Sequence, residues 1–420
     1  MVSAWLQTFL SPLRGPLRTA LAASVAALAV AVSSPADAAK GHGIFWSQAF
    51  GGGTREHFED AAASPDGGAL LVGASSAARP ATGDPDAWLV KIGRDGELRW
   101  QAFLGGSERD VARAAAALPD GGFLAGGFTA SADGDFPRHR GGRLPVPWAA
   151  RLGSGGETLW AGTLPLDPDG WGTVHALGPH PDGGFVAVGT GYSFDVGEGC
   201  SGRGILVWRF PTGGKPELSC PGVRLEPDAD YGGAVLPDGG AALAYSRDGA
   251  PRVARLFPSG ALAWDRYAGP GPALAVGPGP RWGVAVAGSS PEGIPRIAAV
   301  GSDGSYLWET MVPWVVKGGF GSVSQAPSGG FFAAGTAEAD MGEMSDLLAL
   351  LLDADGQLVW SATAGGSGRD SAAAALSLAD GSFIAAGATE SWDRDLAPPA
   401  RDRPDPPRES PDGWAVKFRP

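Results

Sequence analysis

Short apolar runs of five to eight residues recur along the chain, separated by Asp-Gly, Gly-Gly and Ser-Gly pairs. Such runs have strand lengths, and such pairs are hairpin signals. The stretch GGSERDVARAAAALPDGGF (105–123) is the hard case, because its alanines favour helix. It returns as GGGTREHFEDAAASPDGGA (51–69) and GGSGRDSAAAALSLADGSF (365–383), and the three align without a gap. Glycines close the run at both ends each time, so the alanine segment is predicted to be a strand.

Weaker copies centre on PDGGF (181–185), PDGGA (237–241), RWGVA (281–285) and SGGFF (328–332). A second element follows each copy, as in DAWLVKIGRDGELRW (86–100) and DLLALLLDADGQLVW (346–360). These units end on Trp100, Trp160, Cys220, Trp264, Trp308 and Trp360, at spacings of 44 to 60 residues. Each unit holds four short runs, and four-stranded units at this period are propeller blades. The last unit stops at GWAVKF (413–418), which matches DAWLVKI and lacks a fourth run. GIFWSQAF (43–50) matches the missing run. The expected fold is therefore an all-β, seven-bladed propeller of four-stranded blades, its ring closed by the N-terminal strand completing the last blade. Small alanines suit inner strands that converge on the channel, and tryptophans suit outer strands where blades fan apart.

Composition fits this picture. Gly 68 and Pro 36 supply turns, while 44% hydrophobic residues and 15 Trp supply a core. The formal net charge of −13 argues against nucleic acid as a partner. Residues 1–39 read as a signal peptide: Arg14 and Arg18, then ALAASVAALAVAV (20–32), then an A-x-A pair at Ala36 and Ala38; an uncleaved N-terminal anchor is the other reading. Residues 40–420 are then one propeller domain without a transmembrane segment, expected as a monomer in the periplasm or outside the cell. The cleavage point carries no lipid-anchor cysteine. In an exported chain, Cys200 and Cys220 are expected to form a disulfide, worth about 3 kcal/mol by the loop-entropy model; two separate buried thiols are the other reading.

The second unit resembles the bacterial secreted β-propeller repeat called SBBP and related PQQ-like propellers. LGGSERD (104–110), PDGGFLAGGFTAS (119–131), DFP (135–137) and WAARLGSGGETLW (148–160) carry the resemblance. It implies a propeller and export, in a family mostly of unknown function.

Candidate chemistry is sparse. An acidic residue precedes the inner strand at Glu56, Asp110, Asp228 and Asp370, with Arg55, Arg109 and Arg369 before three of them. This is either a ring of binding groups at the channel mouth or a set of turn-capping carboxylates. No motif names a cofactor. Calcium is the metal that DPDG (167–170) and DADG (353–356) would suggest, but both lack the remaining loop ligands and read as turns. A basic residue recurs in the third run at Lys91, Arg151, Arg209, Arg255 and Lys417, as a binding stripe or as packed stems with solvated heads. His175 falls in an inner strand, as an acid–base group or a hydrogen-bonded core residue. Long loops at 191–204 and 391–413 are further binding candidates. These features point to a binding or scaffolding module for a protein or envelope polysaccharide. The alternative is a propeller-type enzyme (hydrolase, lyase or quinoprotein-like dehydrogenase) with its site at the channel mouth.

Overall fold

Seven antiparallel sheets fan around one axis in the computed structural model. It describes residues 31–32, 43–52, 54–79, 83–136, 144–167, 169–193, 202–212, 216–226, 231–248, 250–279, 283–338, 344–396 and 410–419. Blade 1 runs from the axis outward through Glu56–Ala63, Ala69–Ser75, Asp86–Ile92 and Leu98–Leu104. Blades 2 to 6 repeat it, with innermost strands Asp110–Ala117, Trp171–Pro179, Gly232–Val235, Ala273–Pro278 and Lys317–Gln325. Blade 7 begins at Asp370–Ser377, and its outer position is filled by Gly43–Phe50, with Ile44 opposite Phe418 and Phe50 opposite Gly413. A two-residue strand, Ala31–Val32, pairs outside it. The ring closes as the sequence predicts, and the alanine run of blade 2 is a strand.

Apolar side chains bury themselves between neighbouring sheets, so the core divides into seven wedges, one per seam. At the rim, the tryptophan ending one unit covers the outer hairpin of the next blade. Trp100 Nε1 donates to Ser154 O at 3.0 Å and Trp264 Nε1 to Ser302 O at 2.7 Å. The hairpin must present a glycine there. Gly156 has φ +90°, and a Cβ would lie 2.7 Å from the Trp100 ring. Trp360 Nε1 is buried without an acceptor, although its ring packs on Phe383 and Phe418. The reason is closure: no hairpin turn joins the third and outer strands of blade 7.

The third-strand basic residues are not a free stripe. Lys91 pairs with Asp66 at 2.7 Å and Arg209 with Asp182 at 3.2 Å. Arg151 pairs with Asp120 and Arg255 with Asp238, and Lys417 lies 3.9 Å from Asp380. Each aspartate sits in the first hairpin of its own blade, where it also caps a turn amide, as Asp66 does for Gly68 N at 3.0 Å.

Candidate functional site at the channel mouth

Among the described residues, six innermost strands carry a β-bulge at the same place. The register against the second strand slips around Glu59, Arg113, His175, Leu274, Gly321 and Ala373. The cause is legible in the second strand. The bulge presses a backbone carbonyl against the partner strand, and only glycine fits there: a Cβ on Gly127 would overlap Val111 O, and one on Gly73 would overlap His57 O. Blade 4 has Tyr245 at that place, and its described inner strand, Gly232–Val235, starts beyond the position where the other blades bulge. A bulge re-aims one residue, here toward the axis.

A cavity of about 210 Å³ lies on the axis, lined by Glu59, Asp60, Arg113, His175, Tyr231, Gly321 and Ala373 among others, with every blade contributing. Glu59, Arg113, His175 and Tyr231 stand seven residues before Asp66, Asp120, Asp182 and Asp238, the first-hairpin aspartates. They are one column of the repeat. Four adjacent blades fill it with polar groups, and blades 6 and 7 fill it with Gly321 and Ala373.

The polar wall is organised. His57 Nε2 and Glu59 Oε1 are 3.2 Å apart. Burial pushes the Glu59 carboxyl up, but the His57 contact and the charges of Arg113 and Arg109 outweigh it, so its pKa is lowered. Asp60 Oδ2 accepts from Ala115 N of the next blade at 2.9 Å. Its residue keeps some surface on the channel, yet the protein packed round it strips water away and pushes its pKa up to about 7. His175 Nε2 meets Thr190 Oγ1 at 2.9 Å, and burial, helped by Arg113, lowers its pKa to about 3. It is a neutral imidazole. Tyr231 donates to Glu226 O at 2.5 Å, and its ring is 5.7 Å from His175.

Three guanidiniums rest on aromatic faces at this end. Arg109 and Arg113 lie over Phe128, 5.3 and 5.4 Å from its centroid, and Arg203 lies 4.8 Å over Trp171 and 5.7 Å over Tyr231.

The acidic positions singled out in the sequence lie elsewhere. Glu56, Asp110 and Asp370 are fully buried under the loops that enter each blade. Asp110 Oδ2 accepts from Gly106 N and Ser131 Oγ, both at 2.8 Å. Asp370 Oδ2 accepts from Gly366 N at 2.8 Å and Ser391 Oγ at 2.7 Å. Glu56 Oε1 accepts from Ser75 Oγ at 3.1 Å and from Thr54. Each closes its own turn. Each also faces a carboxylate of the preceding blade across a seam. Burial, Asp110 and Asp135 overcome the opposing Arg79 to raise Asp86 to about 6. Burial and Asp370 raise Asp346. Arg55, Arg109 and Arg369 are exposed above them. Of this group only Arg109 comes to the axial cluster. Asp228 and Cys200 lie outside the described residues, as do 194–201 and 397–409 of the two long loops. Cys220 is half-buried against the wedge between blades 2 and 3.

DADG (353–356) is a turn, with Asp353 Oδ1 accepting from Asp355 N at 3.0 Å and Gln357 N at 2.8 Å. Among the described residues, no group of three or more His, Cys, Asp or Glu has metal-site geometry, and no helix is long and apolar enough to cross a membrane.

No family model matches the chain, and no curated protein matches it. Similar solved structures include Sqt1 from Chaetomium thermophilum, 15% identical, with 80% of each chain covered and a TM-score of 0.45. The Dos1 propeller is 9% identical over 86% of this chain and 77% of its own, with a TM-score of 0.48. Likeness at that level says nothing about ligand or role.

Proposed function

We propose that this protein is an exported binding module of the secreted SBBP type, receiving a component of the cell envelope or its surroundings at the channel mouth of blades 1 to 4. One observation carries the reading: a single column of the repeat is polar in four adjacent blades, at Glu59, Arg113, His175 and Tyr231, and reduced to Gly321 and Ala373 across the axis. Rigid repeats that differ at one converging position suit selective binding. The leader at 1–39 and the Cys200–Cys220 bridge belong to the same proposal; Cys220 is not a free thiol.

The test is affinity capture from the envelope and secreted fractions, with wild type beside an Arg113→Gln/His175→Ala double variant of confirmed melting temperature. A component held by wild type and lost by the variant is expected. The same captured set from both proteins sinks the reading. A propeller-type hydrolase or lyase is the second reading, favoured by Asp60, whose pKa near 7 suits a general acid or base. Turnover of a defined substrate that vanishes in Asp60→Asn would replace binding with catalysis.

A further inference from the structure

Arg151, Arg255 and Arg296 each meet a carboxylate, Arg296 with Glu309 at 2.8 Å. Arg109, Arg113 and Arg203 differ. Among the described residues none of the three makes an ion pair, and the Nε atoms of Arg113 and Arg203, like those of the paired Arg151, Arg255 and Arg296, are buried without an acceptor. They cluster at one end of the axis in a chain of net charge −13. A buried donor without a partner is costly, and a planar guanidinium offers a fork that matches an oxyanion.

Other groups on the wall narrow the choice. Glu59 presents carboxylate oxygens beside Arg113. A bare inorganic anion would satisfy Arg113 but face Glu59. A neutral sugar would donate to Glu59 but meet the Arg113 guanidinium with hydroxyl oxygens alone, which pair with it more weakly than a carboxylate does. A cation would face the Arg113 guanidinium. A compact molecule bearing both hydroxyl donors and a carboxylate satisfies both halves of the wall, and the bare backbone at Gly321 and the small Ala373 opposite leave room for its body. The cavity of about 210 Å³ suits one such unit.

We infer that the channel mouth recognises a polyhydroxy carboxylate, a sugar acid, with its carboxylate on Arg113 and its hydroxyls toward Glu59. The inference rests on the channel-mouth reading above. The sugar acid is either free or one residue of an acidic polysaccharide, and the chemistry at the wall is the same.

Calorimetric titration of the full mature chain with galacturonate, galactose, inorganic phosphate and a galacturonate oligosaccharide tests it. Galacturonate is expected to bind and galactose not. Arg113→Gln should weaken binding roughly ten- to a hundredfold, the worth of a hydrogen bond to a charged group, while Arg113→Lys should retain part of it. Galacturonate and its oligosaccharide binding alike per site points to the free acid; stronger binding of the oligosaccharide points to the polymer. Galactose binding as well as galacturonate, or phosphate binding better than both, overturns the acid assignment. If that binding still falls in the Arg113→Gln/His175→Ala variant, the channel stands as the site and only the ligand class is wrong. No binding of any probe, together with unchanged capture by the variant, overturns both readings.

Discussion

At the rim the blades repeat one another, and on the axis they do not. Trp46, Trp100 and Trp264 each donate to a carbonyl of the next blade's outer hairpin. Lys91, Arg151, Arg209 and Arg255 each pair with the hairpin aspartate of their own blade. Such recurrence has a structural cause, because every seam poses the same packing problem. On the axis the backbone still recurs, as a bulge in six blades, but the side chain it delivers changes from Glu59 to Arg113 to His175. In a repeat protein the shared positions build the scaffold, and the divergent ones placed by a shared backbone device are free to carry function.

The largest effect that tests this contrast belongs to the rim. Trp264 is 7% exposed and donates to Ser302 O. Trp264→Ala is expected to cost about 3–5 kcal/mol, through lost packing and a cavity in the seam between blades 4 and 5. Urea unfolding measures it, and ligand binding at 20 °C below the melting point should persist. A variant that keeps its stability but loses binding would reverse the assignment of roles.

Next is the backbone device itself. Gly127→Ala drives a Cβ into Val111 O, so about 1–3 kcal/mol of destabilisation is expected as the bulge shifts. The control is Gly162→Ala in the outer strand of the same blade, where a Cβ would meet nothing within 4 Å; it should cost nothing and can gain about 0.5 kcal/mol, because alanine suits a strand interior better than glycine. Equal losses in the two variants would mean that the glycine does not serve the bulge.

Much of this was legible in the chain and one step was not. Hairpin pairs bounded the alanine runs tightly enough to override helix propensity, and GIFWSQAF matched the strand missing after GWAVKF. The bulge left no such mark. Register is read from alternation, and VARAAAA alternates too weakly to show one inserted residue. The acidic positions drew attention because they recur, but Asp110 and Asp370 recur because each caps the same turn. The useful signal was the opposite: a column seven residues before the hairpin aspartate that reads Glu59, Arg113, His175 and Tyr231. Deviation in a converging column marks the site better than repetition. Gly172, Gly271 and Gly318 hold the acidic position in three blades, which suits a turn position better than a ring.

The smallest expected effect contrasts carboxylates. In the first hairpin of blade 2, Asp120 is held low by the Gly122 amide and Arg151. On the axis Asp60 is raised to about 7 by burial, against the pull of the Ala115 and Ala61 amides, with Glu59 adding to the rise. The sign follows from proton counting. Between the ordinary aspartate value of 3.8 and about 7, folded Asp60 keeps a proton that the unfolded chain has released. The folded state then binds more protons, so this group's contribution to stability falls as pH rises through that window and is flat above it. Asp60→Asn removes the titration, and its amide oxygen can still accept from Ala115 N. The melting temperature of the variant minus that of wild type should therefore grow from pH 5 to pH 8. Asp86, raised to about 6, titrates in both proteins and cancels in the difference. A difference that is constant with pH would show that Asp60 is as well compensated as the hairpin aspartates, and the axis would lose its distinction as the place where the fold tolerates an unfavourable charge.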